Sequence, residues 1–161
     1  PDVLYPFDDG AVRTVFTPQA RLGAQDLDDA RIAEGLRVTL TALDRIAAKC
    51  RDGARLLVLL MPTKELVFAE RVRMHATQIP SSFSRLIERE TAIRAQIDTA
   101  LRERGVETID PLPAMRALLA ADDRRREPVN PYPETWDGHP VAAGYTAVSR
   151  AVAEALSRPP A

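Results

Sequence analysis

Asp137 and His139 stand two residues apart in the stretch YPETWDGHPVAAGYTAV, Tyr132 to Val148. A carboxylate so near an imidazole can hold one ring nitrogen and leave the other to act as a general base, as serine-type acyl transfer requires. Pairing across two residues needs a turn, which Gly138 allows. Pro140 suits the first turn of a helix. Tyr145, Val148, Val152 and Leu156 share one face of that closing helix, which would anchor His139. The same residues have a structural reading: Asp137 or His139 caps the last helix and Gly138 makes the bend.

A base needs a nucleophile to act on. Ser81, Ser82 and Ser84 lie in one polar connection, without the strand, tight turn and helix that expose a nucleophilic serine. Ser149 and Ser157 fall in the closing helix. The attacking serine is therefore expected outside this chain, which begins at Pro1 and is expected to lack an N-terminal, nucleophile-bearing part. Lys64 and Glu65 follow an apolar run, at the place where open α/β sheets carry their ligand loops. They are candidate substrate-binding residues, with a mutual or surface ion pair as the alternative. Tyr132, Trp136 and Tyr145 are candidates for a wall facing an acyl group or a sugar. His75 reads as an ordinary loop or helix-end histidine, and the run Asp122 to Glu127 as a self-neutralising charge cluster.

Elements that could position these residues follow from periodicity. Ala11 to Phe16 reads as a strand closed by Thr17-Pro18, with the rest of residues 1–25 irregular. A helix is expected from Asp26, carrying Ile32, Leu36, Leu40, Leu43, Ile46 and Cys50 on one face and ending at Gly53. RLLVLLM, Arg55 to Met61, is apolar without alternation and reads as a strand buried on both faces. A second helix is expected from Phe83 or Ser84 to Arg104, stopped by Gly105. Val106 to Asp110 is then a short strand, LPAMRALLA a short helix, and the closing helix follows a charged, proline-rich loop. The order predicts βαβ architecture with a sheet too thin for three long helices.

Composition narrows the function classes. One domain or domain fragment fits 161 residues. A net charge of −1 argues against nucleic acid or an anionic membrane as partner. No apolar run reaches the ~20 residues of a membrane span. A single cysteine, Cys50, excludes an intrachain disulfide and reads as a buried thiol. Two histidines and one cysteine are too few for a zinc cluster, so neither metal nor cofactor is expected.

The segment DGHPVAAGY resembles the last sequence block of the SGNH/GDSL hydrolases, in which Asp and His precede Pro, small residues and Gly-Tyr or Gly-His. LLVLLMPTKELVF is similar to a segment of SGNH-like proteins, including relatives that acetylate alginate. With YPETWDGHP, the resemblance spans about residues 30–157. It implies a flavodoxin-like three-layer α/β/α sandwich with a parallel sheet, of which this chain would be the C-terminal part. It also implies a serine-dependent esterase acting on a small-molecule or carbohydrate ester, with Asp137 and His139 completing the triad. An O-acetyltransferase of cell-envelope polysaccharide, or a non-catalytic binding domain, are the alternatives; a cell-envelope or periplasmic location would suit them. The chain departs from the family pattern in its Asp–His spacing of two, in Val141 where Asn is frequent, and in lacking a Gly-Asp-Ser block and oxyanion-hole Gly and Asn blocks.

Overall fold

The computed structural model describes residues 4–50, 54–120 and 127–158. Near the N-terminus β1 (Tyr5–Asp8) pairs antiparallel with β2 (Arg13–Phe16), Tyr5 opposite Phe16 and Asp8 opposite Arg13. The turn between them is held by Asp9, whose Oδ1 accepts from Ala11 N–H at 3.1 Å and Val12 N–H at 3.0 Å. Gly10 takes the positive φ of 85° that the turn demands. β1 and the short helix α1 (Pro18–Gly23) occupy a stretch read from the sequence as irregular.

The long helix α2 (Ala30–Cys50) starts four residues later than expected, because Asp29 rather than Asp26 serves its first turn. Its expected end at Gly53 lies outside the described residues. β3 (Leu57–Leu59) leads into α3 (Lys64–His75) and α4 (Ser81–Glu103). Gly105, at φ 68°, ends α4 as its left-handed stop. β4 (Glu107–Ile109) runs parallel to β3, with Leu57 opposite Glu107 and Leu59 opposite Ile109. α5 (Leu112–Leu119) and α6 (Ala142–Ser157) complete the chain. The charge cluster of Asp122 to Glu127 falls, but for Glu127, outside the described residues.

The core lies between the hairpin and helices α3 to α6. Phe16 is its centre, with ring centroids 5.5 Å from Phe68 and 5.1 Å from Phe83. Phe7, Leu66, Val67, Val72, Ile87, Met115, Leu119, Tyr132 and Val148 close around these rings. One ion pair enters this packing: Asp9 Oδ2 accepts from Arg71 Nε at 2.5 Å, and Arg71 also donates to the Leu119 carbonyl. The guanidinium and the turn's N–H donors hold the Asp9 carboxyl below its ordinary range, against the opposing effect of burial.

The flavodoxin-like sandwich expected from the sequence is not the observed fold. Helices make up 59% of the described residues, and the strands form two separate two-stranded sheets rather than one parallel sheet. Two local readings account for the difference. The apolar run before Pro62 does form a parallel strand, but β4 is its sole strand partner among the described residues. Leu57 and Val58 are only half-buried, and Leu59 is exposed. The segment TKELVFAERV, whose charges Lys64 and Glu65 were expected at a ligand loop, is helix α3 from Lys64 onward and contributes more to the core than β3 does. α2 is amphipathic as expected, yet none of its residues is fully buried, Cys50 included.

This distribution of packing sets a contrast that urea denaturation can read. Phe16→Ala removes a fully buried ring and should cost about 3–5 kcal/mol. Leu36→Ala, on the half-covered face of α2, should cost less than about 1 kcal/mol.

Candidate acid–base site

The Asp137 carboxylate folds back on the residue after Gly138. Its Oδ1 accepts from the His139 backbone N–H at 3.0 Å and lies 2.6 Å from His139 Nδ1. These two contacts, the backbone one first, hold the Asp137 carboxyl below its usual range, and the nearby Lys64 charge adds to them. Neither residue caps α6. That helix starts at Ala142 with Val141 as its extended N-cap and no side-chain capping bond, and Pro140 lies before it. The Val141 N–H donates to the Pro131 carbonyl at 2.9 Å, which ties the start of α6 to the loop that carries the pair. Gly144 makes this approach feasible, since a Cβ there would lie 2.4 Å from the same carbonyl oxygen.

The His139 side chain is 84% exposed, and Nδ1 is occupied by Asp137. Nε2 accepts no hydrogen bond from a hydroxyl among the described residues, which leaves it facing outward. Trp136, next to Asp137 in sequence, is 67% exposed, and Tyr145, on α6, about half. Ser149 and Ser157 donate to carbonyls of their own helix, Tyr145 and Glu154. Ser81, Ser82 and Ser84 form the first turn of α4. His75 is the exposed last residue of α3.

Lys64 and Glu65 are buried; the structure brings Lys64 to the WDGH loop and Glu65 to Thr17 and Arg21. Thr63 caps α3, accepting from Leu66 N–H at 3.2 Å. It is held in turn by Glu90 of α4, which accepts from the Thr63 N–H at 2.8 Å and from its hydroxyl. Burial raises the Glu90 carboxyl above its ordinary range despite these donors. The cap places Lys64 at the first helical position, where its Nζ donates to the carbonyls of Thr135 at 2.6 Å and Asp137 at 2.9 Å. Glu65 Oε1 accepts from the Thr17 N–H at 3.0 Å. Its Oε2 lies 3.1 Å from Arg21 Nε, an ion pair by distance that misses hydrogen-bond alignment. Tyr132 is buried too, its hydroxyl donating to the Pro62 carbonyl at 3.2 Å. Burial pushes that phenol well above its ordinary range.

The two sequence segments singled out for chemistry, PTKE and YPETWDGHP, thus meet in space. Arg21, Thr17, Thr63 and Glu90 join them. Of these only Thr63 had a local signal, as a Thr directly before a helical run. The others reach the site from distant parts of the chain. Among the described residues no group of three or more His, Cys, Asp or Glu could hold a metal ion. None of the described helices is long and apolar enough to cross a membrane. No protein-family model matches the chain, and no curated protein and no solved structure is significantly similar to it.

Burial pushes the Lys64 ammonium down to about 8. The unfolded chain then binds more protons than the folded one from pH 8 upward, so stability rises with pH in that window. The gain should reach up to about 2 kcal/mol between pH 8 and about 9.5. The raised phenols of Tyr5 and Tyr132 act in the opposite sense, but only once an ordinary tyrosine ionises, above that window. Urea midpoints across the range should show the rise in the native protein and none in Lys64→Met. A second variant tests the close approach of α6: Gly144→Ala should lower stability by about 1–3 kcal/mol, read as a drop in Tm.

Proposed function

We propose that Asp137 and His139 are the acid–base pair of a serine-dependent acyl-ester hydrolase, with the serine supplied from outside this chain. The observation that carries this reading is the 2.6 Å contact between His139 Nδ1 and Asp137 Oδ1, combined with an exposed ring. Held this way, neutral His139 carries its proton on Nδ1 and presents the Nε2 lone pair outward. In the reaction, Nε2 takes the proton of the attacking hydroxyl as the oxygen bonds to the ester carbonyl carbon. It then returns that proton to the departing alkoxide, leaving an acyl-serine that water hydrolyses by the same two proton movements. Asp137 keeps the ring in the required tautomer and stabilises the imidazolium between the steps.

The SGNH/GDSL resemblance of the DGHPVAAGY block supports the same chemistry. Trp136, exposed and next to Asp137 in the chain, supplies flat apolar surface suited to an acyl chain or a sugar ring. Transfer of the acyl group to a polysaccharide hydroxyl would use identical groups, with the acceptor alcohol in place of water.

Turnover of a chromogenic acetyl ester by the protein that carries this chain is the test. His139→Ala should reduce kcat by at least about 1,000-fold, and Asp137→Asn by roughly 100- to 10,000-fold, with KM little changed. Trp136→Ala should act mainly on KM. Equal turnover in the native protein and His139→Ala would rule the reading out.

A further inference from the structure

Asp137 and His139 present a physical problem. The His139 side chain is largely exposed and that of Asp137 about half exposed, so side-chain packing does little to hold them in register. A pair left to solvent would spread over several rotamers. The loop backbone must supply the order, and this backbone is held by Lys64 of α3 and bordered by Arg21 of α1.

The Lys64 ammonium, 1% exposed, binds the carbonyls of Thr135 and Asp137, which flank Trp136. One charge bridging two carbonyls two residues apart fixes the 135–136 peptide plane before the Trp136 Cα and the 137–138 plane after the Asp137 Cα. Arg21 lies against Gly138 as well: a Cβ built there would come within 2.0 Å of Arg21 Nη2. Arg21 is itself paired with the fully buried Glu65. The chain from residue 135 to 138 therefore meets two cations, one the side chain of Lys64 and the other paired with its neighbour Glu65. Within the loop Asp137 has two further backbone fastenings, the 3.0 Å bond from the His139 N–H to its Oδ1 and a 3.3 Å contact from its own N–H to Thr135 Oγ1.

We propose that Lys64, together with the Glu65–Arg21 pair, is the positioning element that sets the Asp137–His139 geometry from beneath the loop. This rests on the acid–base reading of the pair. Lys64 touches neither imidazole nor substrate; it acts through the backbone of residues 135–137. Arg21, paired with Glu65, supplies a second contact at Gly138, which limits the room of the turn between acid and base.

The imidazole tautomer reports this geometry without any need for substrate. His75 and His139 are the two histidines and Lys49 and Lys64 the two lysines, so side-chain NMR signals are readily assigned. In the native protein, neutral His139 should carry its proton on Nδ1, by long-range 1H–15N correlation. Asp137→Asn should move the major form to Nε2–H. Lys64→Met, with its fold checked by circular dichroism, should do the same although Asp137 is intact. A folded Lys64→Met protein that keeps the Nδ1–H form overturns the role of Lys64 and leaves the pair standing. An Asp137→Asn protein that keeps it sinks the pair itself. A readout on the native protein covers the case in which Lys64→Met does not fold. The Lys64 ammonium nitrogen should show hydrogen-bond couplings to the carbonyl carbons of Thr135 and Asp137, and their absence overturns the proposal.

Discussion

A buried ammonium with two backbone carbonyls for company is the constraint around which this molecule is arranged. Removing a lysine charge from water is costly, and the depressed affinity of Lys64 for its proton records that cost. The contacts that offset it come from the loop of residues 135–137, while the neighbouring Glu65 reaches α1. One turn of α3 thereby fastens two segments that are remote from it in sequence and from each other. The aromatic core beneath holds that turn in place through Leu66, Val67 and Phe68. Apolar packing and a polar junction share a single helix, and the polar junction lies at its first turn.

Much of the local structure was legible in the sequence because local rules govern it. β2, α4, β4, α5 and α6 follow from apolar period and from stops such as Gly105. The proximity of Asp137 to His139 could be read too, because two residues joined by a glycine can meet whatever the fold. What could not be read depended on distant partners. An apolar strand looks the same whether one neighbour or two will flank it, so RLLVLLM suggested a buried parallel sheet that the structure does not contain. Lys64 and Glu65 looked like ligand-loop charges because nothing nearby announces the Thr135 and Asp137 carbonyls or Arg21.

The pairing of exposed chemistry with buried support follows from the needs of a general base. A ring that must meet a substrate has to remain accessible, and accessibility removes the packing that would hold it still. The solution here is to fix the main chain rather than the side chains. Gly138 serves this purpose by leaving room for the Arg21 guanidinium, where a Cβ would clash.

The uneven cover of α2 and β3 gives the molecule two tiers of cohesion. The hairpin and α3 to α6 share one buried core, so they should open only together. α2 contributes nothing to that core. A cleft of about 550 Å3, lined in part by Ile32, Leu36, Leu59, Met61, Ile93 and Ile97, separates its inner face from β3 and α4. Its amides can therefore exchange with solvent through local opening while the acid–base loop stays assembled. The site is moored to the firm part of the protein, and the helix most easily set in motion lies outside its moorings.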